Sequence, residues 1–161
     1  MTEVEAKLAS LGLQLPAPIK LPPDVKLSFP WVRLHGDRAF ISGHGPLALD
    51  GSLAEPLGKV GQELTLEQGY EAAKLTGLAI LASLKSALGD LDRIAAWLRV
   101  FGMVNAGAGF NRMPLVINGF TDLIVSLYGA ERGAHARSAV GMASLPFDMP
   151  VEIEAEVAIR G

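Results

Sequence analysis

Residues 136–155 read Ala-Arg137-Ser-Ala-Val-Gly-Met-Ala-Ser-Leu-Pro146-Phe-Asp-Met-Pro150-Val-Glu152-Ile-Glu154-Ala. Arg137–Ala143 has strand character, and Leu145–Pro150 is a loop carrying two prolines. Val151–Ile159 then alternates cleanly. Val151, Ile153, Ala155, Val157 and Ile159 point one way, and Glu152, Glu154 and Glu156 point the other. If the two strands pair, an arginine and a carboxylate face one pocket. A guanidinium grips a carboxylate bidentately, as lysine cannot. A glutamate beside it can hold or deprotonate a water. The same pattern also fits a structural salt-bridge arginine and a solvated row of glutamates, and the residues alone leave both readings open.

Upstream, Pro114 starts a helix that ends near Tyr128, with Gly129 as its stop. Asn105–Arg112 is a glycine-rich loop and Ile94–Met103 a strand. Thr65-Leu-Glu-Gln68 is a capping box. The helix it opens runs to about Leu88, with Gly89 beyond its last turn. Its apolar stripe includes Gly77, which weakens a helix by roughly 1 kcal/mol. A close approach to a sheet is the expected offsetting gain. Val32–Leu34 and Ala39–Ser42 flank the Gly36-Asp37 turn as a hairpin. Asp50-Gly51 marks a further turn, with a possible extra strand near Leu47–Leu53. Thr2–Leu11 reads as a short helix, and five prolines between Leu15 and Pro30 enforce an extended arm.

The order ββ–α–β–α–ββ predicts an α+β fold: one mixed β-sheet with two helices on a single face. The division is an N-terminal helix and Pro-rich arm over 1–28 and a single domain over 29–161. Half of the 161 residues are apolar. That is too many to leave the second sheet face wholly to water, so assembly through the sheet is expected.

The formal net charge of −3 argues against a surface built for nucleic acid. The chain has no cysteine, which removes disulfides, thiolate metal sites and cysteine nucleophiles together. His35, His44 and His135 form no HxH or HxxxH pair, so no metal is expected. The acidic, amphipathic N-terminus lacks the features of a signal peptide. The apolar run Leu78–Leu84 between Lys74 and Lys85 is too short to span a bilayer, and a cytoplasmic protein is expected. Gly107-Ala-Gly109 lacks the third glycine and the repeat of a dinucleotide loop. Trp31 and Trp97 are expected in the core or at an interface.

The 136–155 stretch resembles the C-terminal signature of the RidA/YjgF reactive intermediate deaminase superfamily, also called endoribonuclease L-PSP. That signature is Arg-Ser, a short apolar strand, Leu-Pro, a short loop, then Val/Ile-Glu-Ile-Glu-Ala, with the Arg137-to-Glu152 spacing found here. Phe40-Ile-Ser42-Gly43-His-Gly-Pro46 resembles the family's Ser-Gly-Gln-x-Pro strand end. Gly58-Lys-Val-Gly-Gln62 and Val116-Ile-Asn118 resemble its next blocks, so the resemblance covers about Phe29 to Ile159.

The resemblance implies a chorismate-mutase-like fold assembled as a homotrimer, sheet against sheet, with three clefts between subunits. It implies hydrolysis of enamines and imines such as 2-aminoacrylate to 2-keto acids and ammonia, without metal or organic cofactor. The activity would be that of a 2-iminobutanoate/2-iminopropanoate deaminase. Arg137 then binds the carboxylate of a small substrate and Glu152 positions or activates water. Ser42, Gly43, Asn118 and Ala139 line the cleft, with an aromatic supplied by Phe29 or Trp31. This chain departs from the family at Ala139, where cysteine is frequent, and at His44, where glutamine is usual. Phe29-Pro-Trp31-Val replaces the usual Pro-Tyr-Ser-Gln. A non-catalytic trimer that binds a small carboxylate or a protein partner is the alternative, and an endoribonuclease ranks behind both. His44 as a proton donor is weighed against a polar loop residue, and His135 likewise.

Overall fold

In the computed structural model, which describes residues Met1–Gly161, the chain runs α1 (Glu3–Ser10), β1 (Val32–His35), β2 (Arg38–His44), α2 (Leu66–Leu88), β3 (Ile94–Asn105), α3 (Met113–Gly133), β4 (Ala136–Met142) and β5 (Val151–Ile159). Local signals set the helix ends. Thr65 Oγ1 accepts from the Gln68 amide and Gln68 Oε1 from the Thr65 amide, closing the capping box of α2 both ways. Gly89 ends α2 at φ 79°. Thr2 and Glu5 form a second capping box at α1. The expected stop at Gly129 is a break with φ 78°, after which the chain makes one more short helical stretch to Gly133.

The five strands lie in the order β1-β2-β5-β3-β4, with only β3 and β4 parallel. Helices α2 and α3 cover one face, as the sequence predicts. Val151, Ile153, Ala155 and Val157 of β5 and Ile94, Trp97, Val100 and Val104 of β3 are buried beneath them. Trp97 is a core residue, with the rings of Phe120 and Tyr128 edge-on at 5.6 and 5.9 Å. The other face lies open. It carries Phe40, 41 % exposed, the half-buried Phe101 opposite Glu154, and an Arg38–Glu156 ion pair at 2.5 Å.

Three expectations change. The strands of Arg137 and Glu152 do not pair, because β3 lies between them. The close approach at Gly77 is to α3 and not to the sheet: a Cβ there would lie 2.8 Å from Leu123 Cδ2. Gly119 on α3 meets the Tyr70 carbonyl in the same seam, so the two helices touch through missing side chains. The extra strand near Leu47–Leu53 is a single antiparallel bridge between those two residues. Its outer backbone groups are taken by the proline-rich arm, with the Ala17 amide on Leu49 O and the Lys20 amide on Gly51 O, both at 2.9 Å.

The N-terminal helix joins the same core. Val4 and Leu8 are buried in it, and the Glu3 and Val4 amides donate to the Asp92 carboxylate at 2.6 and 3.0 Å. A carboxylate there also complements the positive end of the helix dipole. Helix α3 is long and apolar enough to cross a membrane by length and composition. Its Val116, Ile117, Phe120, Leu123, Ile124 and Leu127 are instead buried within the fold.

Candidate functional site

Arg137 stands on the edge strand β4, opposite Val100 of β3. Val100 faces the helices, so Arg137 does too, and its guanidinium reaches α3. Nη1 donates to Asn118 Oδ1 at 2.9 Å and to Thr121 Oγ1 at 3.0 Å, and Nη2 donates to Pro114 O at 3.2 Å. No carboxylate forms an ion pair with it. Burial lowers its pKa, the more distant Asp122 opposing the shift, yet a guanidinium remains charged. The result is a half-buried cation held in place by neutral acceptors, with its charge uncompensated.

Thr121 extends this network. Its hydroxyl accepts from Arg137, and its proton goes to His135 Nε2 at 2.9 Å. His135 Nδ1 in turn donates to Gly133 O at 2.7 Å. Burial, with Arg137 as a further cause, lowers the pKa of His135. The imidazole therefore acts as a neutral prop for Thr121. Ala139 lies two residues along β4, on the face that Arg137 uses, opposite Gly102.

Glu152 stands on the central strand β5, opposite Met103, and faces the open side of the sheet. It is half-buried, and its pKa is raised, first by desolvation and then by Glu154. Its carboxylate lies over Gly43: a Cβ at that position would be 2.6 Å from Glu152 Oε2. Glycine at 43 is therefore what leaves room for the acid. A bulge between Ile41 and His44 displaces this end of β2. Ser42 ties the preceding segment down, its Oγ donating to Pro30 O at 2.8 Å and its amide to Trp31 O at 3.0 Å. Phe29, 50 % exposed, stands edge-on to Trp31 at 5.7 Å.

The predicted residues thus fall into two clusters. Arg137, Asn118 and Ala139 form a cationic one at the β4 edge. Glu152, Gly43 and Ser42 form an acidic one around the end of β2, and Phe29 lies apart from it against Trp31. Within one chain β3 separates the two, and Arg137 and Glu152 leave the sheet on opposite faces. A carboxylate-bearing molecule gripped by Arg137 cannot also meet Glu152 of that chain.

Trp31 joins neither cluster. It packs 4.9 Å from the His44 ring, on the helix-covered side of β2. His44 is buried there, and desolvation lowers its pKa to about 4 against the opposing Ser42 carbonyl. Sequence reasoning missed Thr121 and the Pro114 carbonyl. The signal for Thr121 was available, since it lies three residues after Asn118 and so shares its helix face.

Comparison with known proteins gives one consistent outcome. A family model described as "YjgF/chorismate mutase-like, putative endoribonuclease" matches residues 5–153. Protein TCP17 of Trypanosoma cruzi is 36% identical over 157 residues, which cover 98% of this chain and 94% of that protein. The crystal structure of Atu1372 from Agrobacterium tumefaciens, a protein of unknown function, superposes with a TM-score of 0.87 at 36% identity, covering 98% of this chain and 93% of that one. A protein of Shewanella oneidensis MR-1 described as a "putative endoribonuclease" gives a TM-score of 0.85 at 26% identity, covering 97% and 99% of the two chains.

Proposed function

The chain belongs to the YjgF/chorismate mutase-like family, and from that premise we propose that it hydrolyses small enamine and imine carboxylates to 2-keto acids and ammonia. The observation that carries this reading is the uncompensated Arg137 guanidinium, aimed by Asn118, Thr121 and the Pro114 carbonyl. A cation so fixed is matched to a carboxylate. In this reading the open sheet faces of three copies meet. Arg137 of one copy and Glu152 of the next then share a cleft.

The chemistry asks little of the protein. 2-Aminoacrylate tautomerises to 2-iminopropanoate, whose imine carbon is electrophilic once the nitrogen is protonated. Glu152 takes a proton from water as its oxygen bonds to that carbon. Glu152 returns that proton to the carbinolamine nitrogen, the C–N bond breaks with its electrons leaving on ammonia, and the hydroxyl proton passes to solvent to give pyruvate. Overall, one imine and one water give one ketone and one ammonia. Holding the anion and the water in line supplies much of the acceleration. A raised Glu152 pKa moves the acid toward the operating pH, where a general base is most effective.

The family description names an endoribonuclease, but the net charge of −3 gives a polyanion little to bind. The test is ammonia release from 2-aminoacrylate generated in place, with RNA cleavage assayed on the same preparation. Deaminase turnover that vanishes in Arg137→Ala supports the proposal. RNA cleavage without deaminase turnover overturns it.

A further inference from the structure

A cavity of about 300 Å³ opens on the helix-covered side of β2, on the other face of the sheet from Glu152. The proline-rich arm roofs it with Pro16 and Pro18, Trp31 walls one side, and α2 floors it with Ala82 and Ser83. Apart from His44, no ionisable side chain lines it. The roof is fastened at the Leu49–Gly51 turn by the Ala17 and Lys20 amides and by the Lys20–Asp50 pair at 3.4 Å.

Besides the exposed Ser86 hydroxyl on its wall, one polar pair enters this apolar space. His44 Nδ1 lies 2.6 Å from Ser42 O, and a carbonyl can only accept, so Nδ1 carries the proton. With its pKa near 4, His44 is neutral at pH 7, and Nε2 is an acceptor. Ser83 Oγ, 2.8 Å away, therefore donates its hydrogen to Nε2. The serine oxygen keeps its lone pairs and has no hydrogen left for a ligand. At Ser83 the cavity thus offers an acceptor, Ser86 is the one other hydroxyl on its wall, and no free side-chain cation lines it.

We infer that this cavity is a second binding site, for an uncharged, mostly hydrocarbon molecule of bicyclic-aromatic size carrying one N–H or O–H donor directed at Ser83. The volume sets the size, since an apolar cavity of about 150 Å³ holds one benzene ring. The wall sets the charge, because a carboxylate would be desolvated without a cation. The Trp31 ring adds an aromatic surface for an edge or face contact. This site is independent of Arg137 and Glu152 and would differ from theirs in ligand class.

The probe is indole, titrated calorimetrically into the full-length protein beside 1-methylindole, which lacks the donor. Indole should bind once per chain, about tenfold more tightly than 1-methylindole, the worth of one good hydrogen bond. Ala82→Phe should abolish both by filling the cavity, and Arg137→Ala should change neither. The paired replacement His44→Phe with Ser83→Ala removes donor and acceptor together and should erase the preference while retaining binding. That pair keeps the test valid if Ala82→Phe does not fold. No indole binding at millimolar concentration, equal affinity for the two probes, or undiminished binding to folded Ala82→Phe overturns the assignment.

Discussion

Arg137 and Glu152 leave one sheet from opposite faces, with β3 running between their strands. A reaction that needs both must draw them from different copies of the chain. Mixing two inactive variants tests this directly. In a trimer with clefts shared in the proposed way, Arg137→Ala and Glu152→Gln would each lack one half of every cleft. Co-expressed in equal amounts, they should regain about one quarter of wild-type turnover, because a random trimer restores that share of its clefts. Mixed oligomers with no recovered activity would break the shared-cleft reading.

Lysine cannot stand in for Arg137. Its single ammonium cannot reproduce a fork that touches Asn118, Thr121 and the Pro114 carbonyl while gripping a carboxylate. Steady-state ammonia release should fall roughly 30- to 5,000-fold in kcat/KM for Arg137→Ala, the equivalent of the ~2–5 kcal/mol of a buried charge contact. Arg137→Lys should recover little of it. A lysine variant near wild type would reduce Arg137 to a diffuse attraction.

On the proposed role, Glu152 should couple pH to both activity and stability. Its folded pKa lies above 4.5, so the folded chain binds this proton more tightly than the unfolded chain. Stability from this group is full below the ordinary glutamate value and is lost as pH rises through the raised folded value. Glu152→Gln should therefore melt at a higher temperature than wild type at pH 7. The gap should close on acidification toward pH 4.5. Turnover should show an acid limb above the usual glutamate range, and Glu152→Gln should remove it. A Glu152→Gln protein less stable than wild type at pH 7 contradicts the desolvated carboxylate.

Gly43 sets the position of that carboxylate. A methyl group 2.6 Å from Glu152 Oε2 displaces the flexible end of a side chain and not the backbone. Gly43→Ala should leave the melting temperature nearly unchanged yet lower kcat on the order of 10²-fold, the usual effect of about 1 Å of misplacement. Equal losses in stability and activity would point to a merely structural glycine.

Gly119 behaves in the opposite way. Its missing Cβ is filled by the Tyr70 carbonyl of α2, which is backbone and cannot swing aside. Gly119→Ala should separate α2 from α3 and cost about 3 kcal/mol. For a chain of this size that lowers the melting temperature by roughly 6–12 °C. A melt within a degree or two of wild type would mean that the helices part freely.

What the sequence disclosed follows from how far each signal reaches. The Thr65–Gln68 box and the alternation of Val151–Ile159 are written within a few residues, and both appear as read. The neighbours of Arg137 were not legible in the same way. Two successive strands suggest a hairpin, but β4 pairs parallel with β3 after the α3 crossover. The 145–150 loop, with Phe147 and Asp148 at φ 57°, then carries the chain across β3 to its far side. Both clusters of the site were named by their residue types, yet their separation needed the strand order. The contact between His44 and Ser83 spans 39 positions and has no local signature at all.

The strand order also dictates when the molecule can close. β5 is the last strand in the chain and lies third in the sheet, joining β1-β2 to β3-β4. Until β5 is in place, the inner edges of β2 and β3 have no strand between them. Residue 159 must emerge before the sheet becomes one, and Glu152 arrives with that closing strand. The strand that completes the sheet is thus also the one that carries the Glu152 carboxylate.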